Sequence, residues 1–139
     1  MKILIVEDEW KTLKGLSNLI AELGGEYEIA GQARSGEEGI RMAMELRPDI
    51  IITDIRMNGM TGLEMMKALN EEKLACRYII LSGYAEFQYA KEAISLGSMD
   101  YLLKPITKEI LEESLRKVRT AIEEEAQNIR TSSMDMEQI

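Results

Sequence analysis

Asp54 closes the run Asp49-Ile50-Ile51-Ile52-Thr53-Asp54, which reads as a fully buried strand carrying a carboxylate at its carboxyl end. Two more acids, Glu7 and Asp8, follow Lys2-Ile3-Leu4-Ile5-Val6, and Lys104 follows Asp100-Tyr101-Leu102-Leu103, just ahead of Pro105. Open parallel sheets bind their ligands at the carboxyl ends of their strands. If these strands are neighbours, Glu7, Asp8 and Asp54 form an acidic cleft that is unfavourable until a cation fills it. Carboxylates so placed serve as a general acid and base pair, as a hard-cation site, or as a nucleophile beside such a site. Asp8 and Asp54, with backbone carbonyls and water, suit Mg²⁺, which prefers oxygen ligands and keeps several waters. A carboxylate that holds Mg²⁺ through one oxygen presents the other to phosphorus, and Lys104 is placed to neutralise the arriving oxygens. Asp54 is therefore a candidate phosphoryl acceptor. The run Tyr78-Ile79-Ile80-Leu81-Ser82-Gly83 adds a hydroxyl, Ser82, to donate to a phosphoryl oxygen, and Gly83, which leaves room at the backbone.

Those residues need a frame that brings strand ends together. Strand-like runs recur near residues 2–7, 28–33, 49–54, 78–83 and 100–105. Between them, apolar residues keep a period near 3.6 at Leu13, Leu16, Ile20 and Leu23, at Ile40, Ala43 and Leu46, at Leu63, Met66 and Leu69, and at Phe87, Ala90, Ile94 and Gly97. Gly24-Gly25, Arg47-Pro48 and Leu96-Gly97 fit helix ends, and Ser35 followed by Glu38 reads as a capping box. Strict alternation implies right-handed crossovers and a parallel sheet covered on both faces, which is why the strands are apolar throughout. A cleft shared by the first and third strands requires them to be adjacent, giving the order 2-1-3-4-5 in a three-layer α/β sandwich. A last helix follows Pro105 with Ile110, Leu111, Leu115, Val118 and Ile122 as its stripe. The expected division is a domain over 1–122 and a helical extension with a disordered tail over 123–139, disordered from 131. Ala126 and Ile129 extend the stripe as an approximate heptad, the pattern either of a terminal helix that frays beyond the solvated run Glu123-Glu124-Glu125 or of a helical linker or coiled coil toward an output module.

The rest of the composition excludes other classes. At 139 residues the chain has room for one domain with a real core. A formal charge of -8 and a pI near 4.7 argue against a nucleic-acid surface. No apolar run reaches membrane-spanning length and the N-terminus does not read as a signal peptide, so a cytoplasmic protein is expected. With one cysteine, Cys76, and no histidine, the chain has neither an internal disulfide nor a zinc set, and cannot supply its own phosphohistidine. Any phosphoryl donor must come from outside.

Taken together, Glu7-Asp8-Glu9, Asp54-Ile55-Arg56-Met57 with Gly59 and Gly62, Leu81-Ser82-Gly83 and Tyr101-Leu102-Leu103-Lys104-Pro105 resemble a response-regulator receiver domain of bacterial two-component signalling, over residues 1 to about 120. The stretch from Leu81 through Tyr84 and Phe87 to Ala90 further resembles receivers of AraC-type, YesN-like regulators. The resemblance implies a single doubly wound, flavodoxin-like (CheY-like) sheet. It implies that Asp54 is phosphorylated, that Asp8, Asp54 and the Arg56 backbone carbonyl bind Mg²⁺ with Glu7 acting through water, and that Lys104 pairs with the phosphoryl group. Ser82 and Tyr101 would be the switch residues, Arg56 and Tyr84 would tune phosphate lifetime, and the Lys104–Pro105 bond would be cis. Two departures stand out. Asn58 replaces a common proline, which should leave its loop less rigid, and Glu7 replaces a commoner aspartate.

The implied partners are a sensor histidine kinase, a second copy of the chain on phosphorylation, and a C-terminal DNA-binding domain outside this sequence; neither nucleic acid nor membrane is expected to bind directly. The readout is expected on the fourth helix, fifth strand and fifth helix, to control transcription. Tyr89 and Tyr101 are candidates to present aromatic surface there, while Met65 and Met66 read as core. Trp10 should lie near the cleft mouth. A phosphatase-like hydrolase is disfavoured, because Arg56 stands where such an enzyme needs a second acid, so a signalling switch rather than an enzyme is expected. A nucleotide site is disfavoured because no glycine-rich loop follows the first strand. The runner-up is a receiver-like interaction module that works without phosphate.

Overall fold

Strand and helix alternate without exception in a computed structural model that describes residues 1–83 and 88–137, with side chains through Arg130. The elements are β1 (Lys2–Val6), α1 (Trp10–Glu22), β2 (Glu28–Ala33), α2 (Gly36–Leu46), β3 (Ile50–Asp54), α3 (Gly62–Glu71), β4 (Arg77–Ser82), α4 (Ala90–Ser95), β5 (Ser98–Leu103) and α5 (Lys108–Glu137). The strands form one five-stranded sheet in the order β2-β1-β3-β4-β5, with every pairing parallel. The alternating side chains of a strand explain the two-sided burial. Leu4, Val6, Ile51 and Ile80 pack with Ala43, Leu63, Met65, Met66 and Leu69 on the α2 and α3 side. Ile3, Ile5, Ile50, Ile52 and Ile79 pack with Leu13, Leu16, Ile20, Leu111, Leu115 and Val118 on the α1 and α5 side. Met65 and Met66 are fully buried, as their helical spacing indicated.

Local signals fix most helix ends. Ser35 Oγ accepts from the Glu38 amide at 3.1 Å, and Arg47 ends α2 in the left-handed region at φ 48. Thr61 and Glu64 form a full capping box at the start of α3; the T-x-x-E spacing was present in the sequence but was not singled out. Phe87 and Tyr84, which the sequence reading placed in or before α4, lie outside the described residues.

Two boundaries differ from expectation. β5 begins at Ser98 rather than near 100, because a register shift lets Tyr78 pair with Ser98 before the apolar run starts. The helical backbone of α5 reaches Glu137, where disorder was expected from 131. No glycine or proline follows Pro105, and the extension opens on Glu123-Glu124-Glu125-Ala126-Gln127, all good helix formers, so a helix nucleated on the sheet propagates through it. Ile110, assigned to the buried stripe of α5, is instead 42% exposed; Leu111, Leu115 and Val118 carry that contact.

Candidate functional site

Register alone assembles the cleft. Val6 pairs with Thr53, so the next residues, Glu7 and Asp54, come abreast; Asp54 pairs with Leu81, and Ser82 pairs with Leu103, the residue before Lys104. Backbone bonds continue the pattern past the strand ends, with Glu7 N–H donating to the Ala33 carbonyl at 2.9 Å and Lys104 N–H to the Ser82 carbonyl at 2.8 Å. The Lys104–Pro105 bond is cis.

Three of the expected residues meet directly. Lys104 Nζ donates to Asp54 Oδ2 at 2.6 Å and stands 3.8 Å from Glu7 Oε2. Glu7 is 1% exposed and Asp54 6%. Glu7 Oε1 accepts from the Glu9 amide at 3.3 Å, while Glu7 Oε2 is buried with no hydrogen-bond partner. Burial, and then the neighbouring Asp54 charge, push the Glu7 carboxyl up to about 8, against the opposing pull of Lys104 and the Glu9 amide. Burial alone would lower the Lys104 ammonium, but the hydrogen bond it donates to Asp54 and the charges of Asp54, Glu7 and Glu9 outweigh it and raise its pKa. The cluster therefore holds more acid than base, in a place where water cannot compensate.

Asp8 lies at the rim. Its Oδ2 accepts from the Asn58 amide at 2.9 Å and its carbonyl from Arg34 Nη2 at 3.1 Å. Arg56 and Asn58 line a cleft of about 460 Å³ together with Asp8, Thr61 and Tyr89. Tyr89 is partly buried against the α2 and α3 side of the core. Ser82 is fully buried, and its hydroxyl donates to the Gly83 carbonyl at 3.1 Å; among the described residues, nothing lies within 4 Å of where a Cβ on Gly83 would stand. Tyr101 is not in the acid cluster but on β5, partly buried against the same core face as Tyr89. Trp10 is 55% exposed, with the Arg34 guanidinium 5.7 Å from its ring centroid.

The glycine at Gly62 has a steric cause. A Cβ there would lie 2.3 Å from the Asp54 carbonyl oxygen, and the Gly62 amide donates to the Ile55 carbonyl at 2.8 Å. Arg34 was missed from sequence, since a lone arginine after a strand carries no signal of its contact. The loosening expected at Asn58 is offset by the Asp8 bond its amide makes, a bond that a proline could not donate.

Mg²⁺ can be tested against these groups. Among the described residues no three Asp, Glu, His or Cys side chains gather closely enough to hold a metal by themselves. The donors on offer are two carboxylates, Asp8 and Asp54, with backbone oxygen and the unsatisfied Glu7 Oε2 behind them. That set fits Mg²⁺, which binds through one or two carboxylates and keeps waters, and it would be a poor cage for an ion needing many side-chain ligands.

A doubly wound sheet with an acid pair and a lysine at its carboxyl ends defines the class, and comparison gives the family. Residues 3–116 match the model of the response regulator receiver domain, and the chain belongs to that family. It is 37% identical over 117 residues to an uncharacterized transcriptional regulatory protein, YesN, of Bacillus subtilis, covering 84% of this chain and 32% of that protein. It is 43% identical over 110 residues to the transcriptional regulatory protein YdfI of the same organism, covering 79% of this chain and 51% of that one. The chain thus spans about a third to a half of the length of these curated relatives. Among solved structures, the receiver domain of AraT, a response regulator from Geobacillus stearothermophilus, superposes with TM-score 0.82 at 38% identity, covering 90% of this chain and 97% of that one. The expected resemblance to YesN-like receivers and the CheY-like fold are both met. As a response regulator receiver the chain is part of two-component signal transduction.

Proposed function

We propose that Asp54 accepts a phosphoryl group from the phosphohistidine of a sensor histidine kinase and that the resulting charge switches an output surface. The observation that supports this most is the contact of Lys104 Nζ with Asp54 Oδ2 at 2.6 Å beside the buried, unsatisfied Glu7 Oε2. A module working without phosphate has no use for so costly an arrangement.

In the transfer, an Asp54 carboxylate oxygen forms the new bond to phosphorus as the bond from phosphorus to the donor imidazole nitrogen breaks. Lys104 keeps its proton and stays beside the oxygens that gain charge. Asp8, Asp54 and the Arg56 carbonyl would hold Mg²⁺, with Glu7 acting through water, and the ion would supply positive charge to offset the acids and the incoming phosphoryl group. Hydrolysis returns the carboxylate, with Arg56 and Tyr84 tuning its rate.

The phosphoryl group adds about -1.5 to -2 charges. Ser82 turns its hydroxyl from the Gly83 carbonyl toward it, and Tyr101 changes rotamer as the face of α4, β5 and α5 rearranges. That face pairs with a second copy of the chain. The names of the relatives support transcription as the output. In this reading that output runs through a C-terminal DNA-binding domain of a longer regulator, in the cytoplasm. No described helix is long and apolar enough to cross a membrane.

The experiment is to treat wild type and Lys104→Ala with acetyl phosphate and Mg²⁺, following labelling by mass and association by light scattering. Wild type is expected to label and dimerise, and Lys104→Ala to label in part and stay monomeric. Equal dimerisation of the two would remove Lys104 from the switch.

A further inference from the structure

The loop that carries Asp8 has little local support. Glu9, at the N-cap of α1, makes no side-chain capping bond, and Asp8 is only half-buried. Besides the Glu9 amide's bond to Glu7 Oε1, two ties reach this loop from elsewhere. β1 lies between β2 and β3 in the sheet. From the β2 side, Arg34 donates to the Asp8 carbonyl at 3.1 Å and lies over the Trp10 ring. From the β3 side, the Asn58 amide donates to Asp8 Oδ2 at 2.9 Å. Asp8 is thus gripped from both flanks, at its backbone and at its carboxylate.

We propose that Arg34 and the Asn58 amide are positioning groups that hold Asp8 ready for a divalent cation, with Trp10 as the platform for Arg34. A carboxylate has acceptor capacity to spare, so the Asn58 bond orients Asp8 without consuming it. Pre-set ligands bind a metal more tightly than ligands that must be ordered, and supporting contacts of this kind change metal affinity markedly. The proposal extends the reading of Asp8 as a Mg²⁺ ligand under the proposed function and rests on it.

Charge and positioning oppose one another here, which makes the sign of the effect decisive. Arg34 is a cation near a cation site, so by charge alone its removal would tighten Mg²⁺ binding, most at low salt. If it positions Asp8, its removal weakens binding at any salt.

The test is calorimetric titration of Mg²⁺ into wild type, Arg34→Ala, Arg34→Lys and Asn58→Pro at low and high salt, with hydrogen exchange of the Asn58 amide measured in metal-free protein. Arg34→Ala is expected to raise the Mg²⁺ dissociation constant about three- to tenfold and to speed Asn58 exchange. Arg34→Lys, which keeps charge and donor, should restore most of the affinity, and Asn58→Pro, which removes the amide donor, should weaken it. Wild-type affinity and exchange in both Arg34 variants, or tighter binding in Arg34→Ala, would overturn the proposal. If acetyl phosphate fails to label even the wild type while these shifts appear, the positioning role stands and the phosphoacceptor reading falls; the exchange measurement judges Arg34 without any metal.

Discussion

At the amino end of the sheet, Arg119 meets Glu26 and Arg77 meets Glu125, each acid more than half exposed, and the N-terminal ammonium donates to the Glu26 carbonyl at 2.6 Å. At the carboxyl end, Glu7 and Asp54 share one lysine, both acids almost wholly buried, and the Glu7 Oε2 that faces it at 3.8 Å makes no hydrogen bond. Both ends set basic side chains against acids, but the environment differs. Paired charges in water tie α5 to the base of the domain and contribute little energy. Unbalanced charges out of water are costly, and that cost is relieved by an incoming cation or by chemistry at Asp54. The base is built to hold, the cleft to react.

The comparison breaks most readily at Gly62. Gly62→Ala drives a Cβ into the Asp54 carbonyl, so a loss of about 3 kcal/mol in urea unfolding is expected, along with loss of labelling. A change within noise would mean that the loop beneath Asp54 is softer than argued. Next, Lys104→Met leaves two buried acids without their cation. It should cost about 2 kcal/mol at pH 8, an amount discounted because the lysine is partly exposed, and less at pH 5.5, where Glu7 is protonated.

Glu7 sharpens the contrast through pH. Its carboxyl is raised in the folded protein from an ordinary value of 4.5 to about 8, so folding favours its protonated form. The stability this contributes is present below pH 4.5 and is lost as pH rises through 8. Glu7→Gln should therefore be more stable than wild type by about 1 kcal/mol or more at pH 9, with the gap closing toward pH 5. Thermal melts across that range would show it, and parallel curves would contradict it. The smallest effect belongs to the base, where Arg77→Gln should change stability by less than about 0.5 kcal/mol. A larger loss there would show that α5 depends on its ion pairs after all.

The fold was legible because the information lay in period and order. Apolar strands alternating with amphipathic helices define the sheet, and adjacency of strands one and three follows from the acids at their ends. Most of the site was legible because strand ends in one register must converge. What escaped was of two kinds. Side-chain reach across loops, as with Arg34 to Asp8, has no sequence period. Limits set by pairing and helix propagation, as at Ser98 and along α5 to Glu137, depend on neighbours and on the absence of a breaker rather than on the local apolar run. Asn58 shows both, since a residue read as loosening its loop uses its backbone amide to fix Asp8.

The central claim is that Asp54 is a phosphoryl acceptor. Intact mass after incubation with acetyl phosphate, with and without Mg²⁺ and beside Asp54→Asn, tests it most directly. The account predicts a Mg²⁺-dependent gain of one phosphoryl group by wild type and none by the variant. Equal labelling of Asp54→Asn would contradict it, as would a wild type that binds Mg²⁺ and never gains the mass.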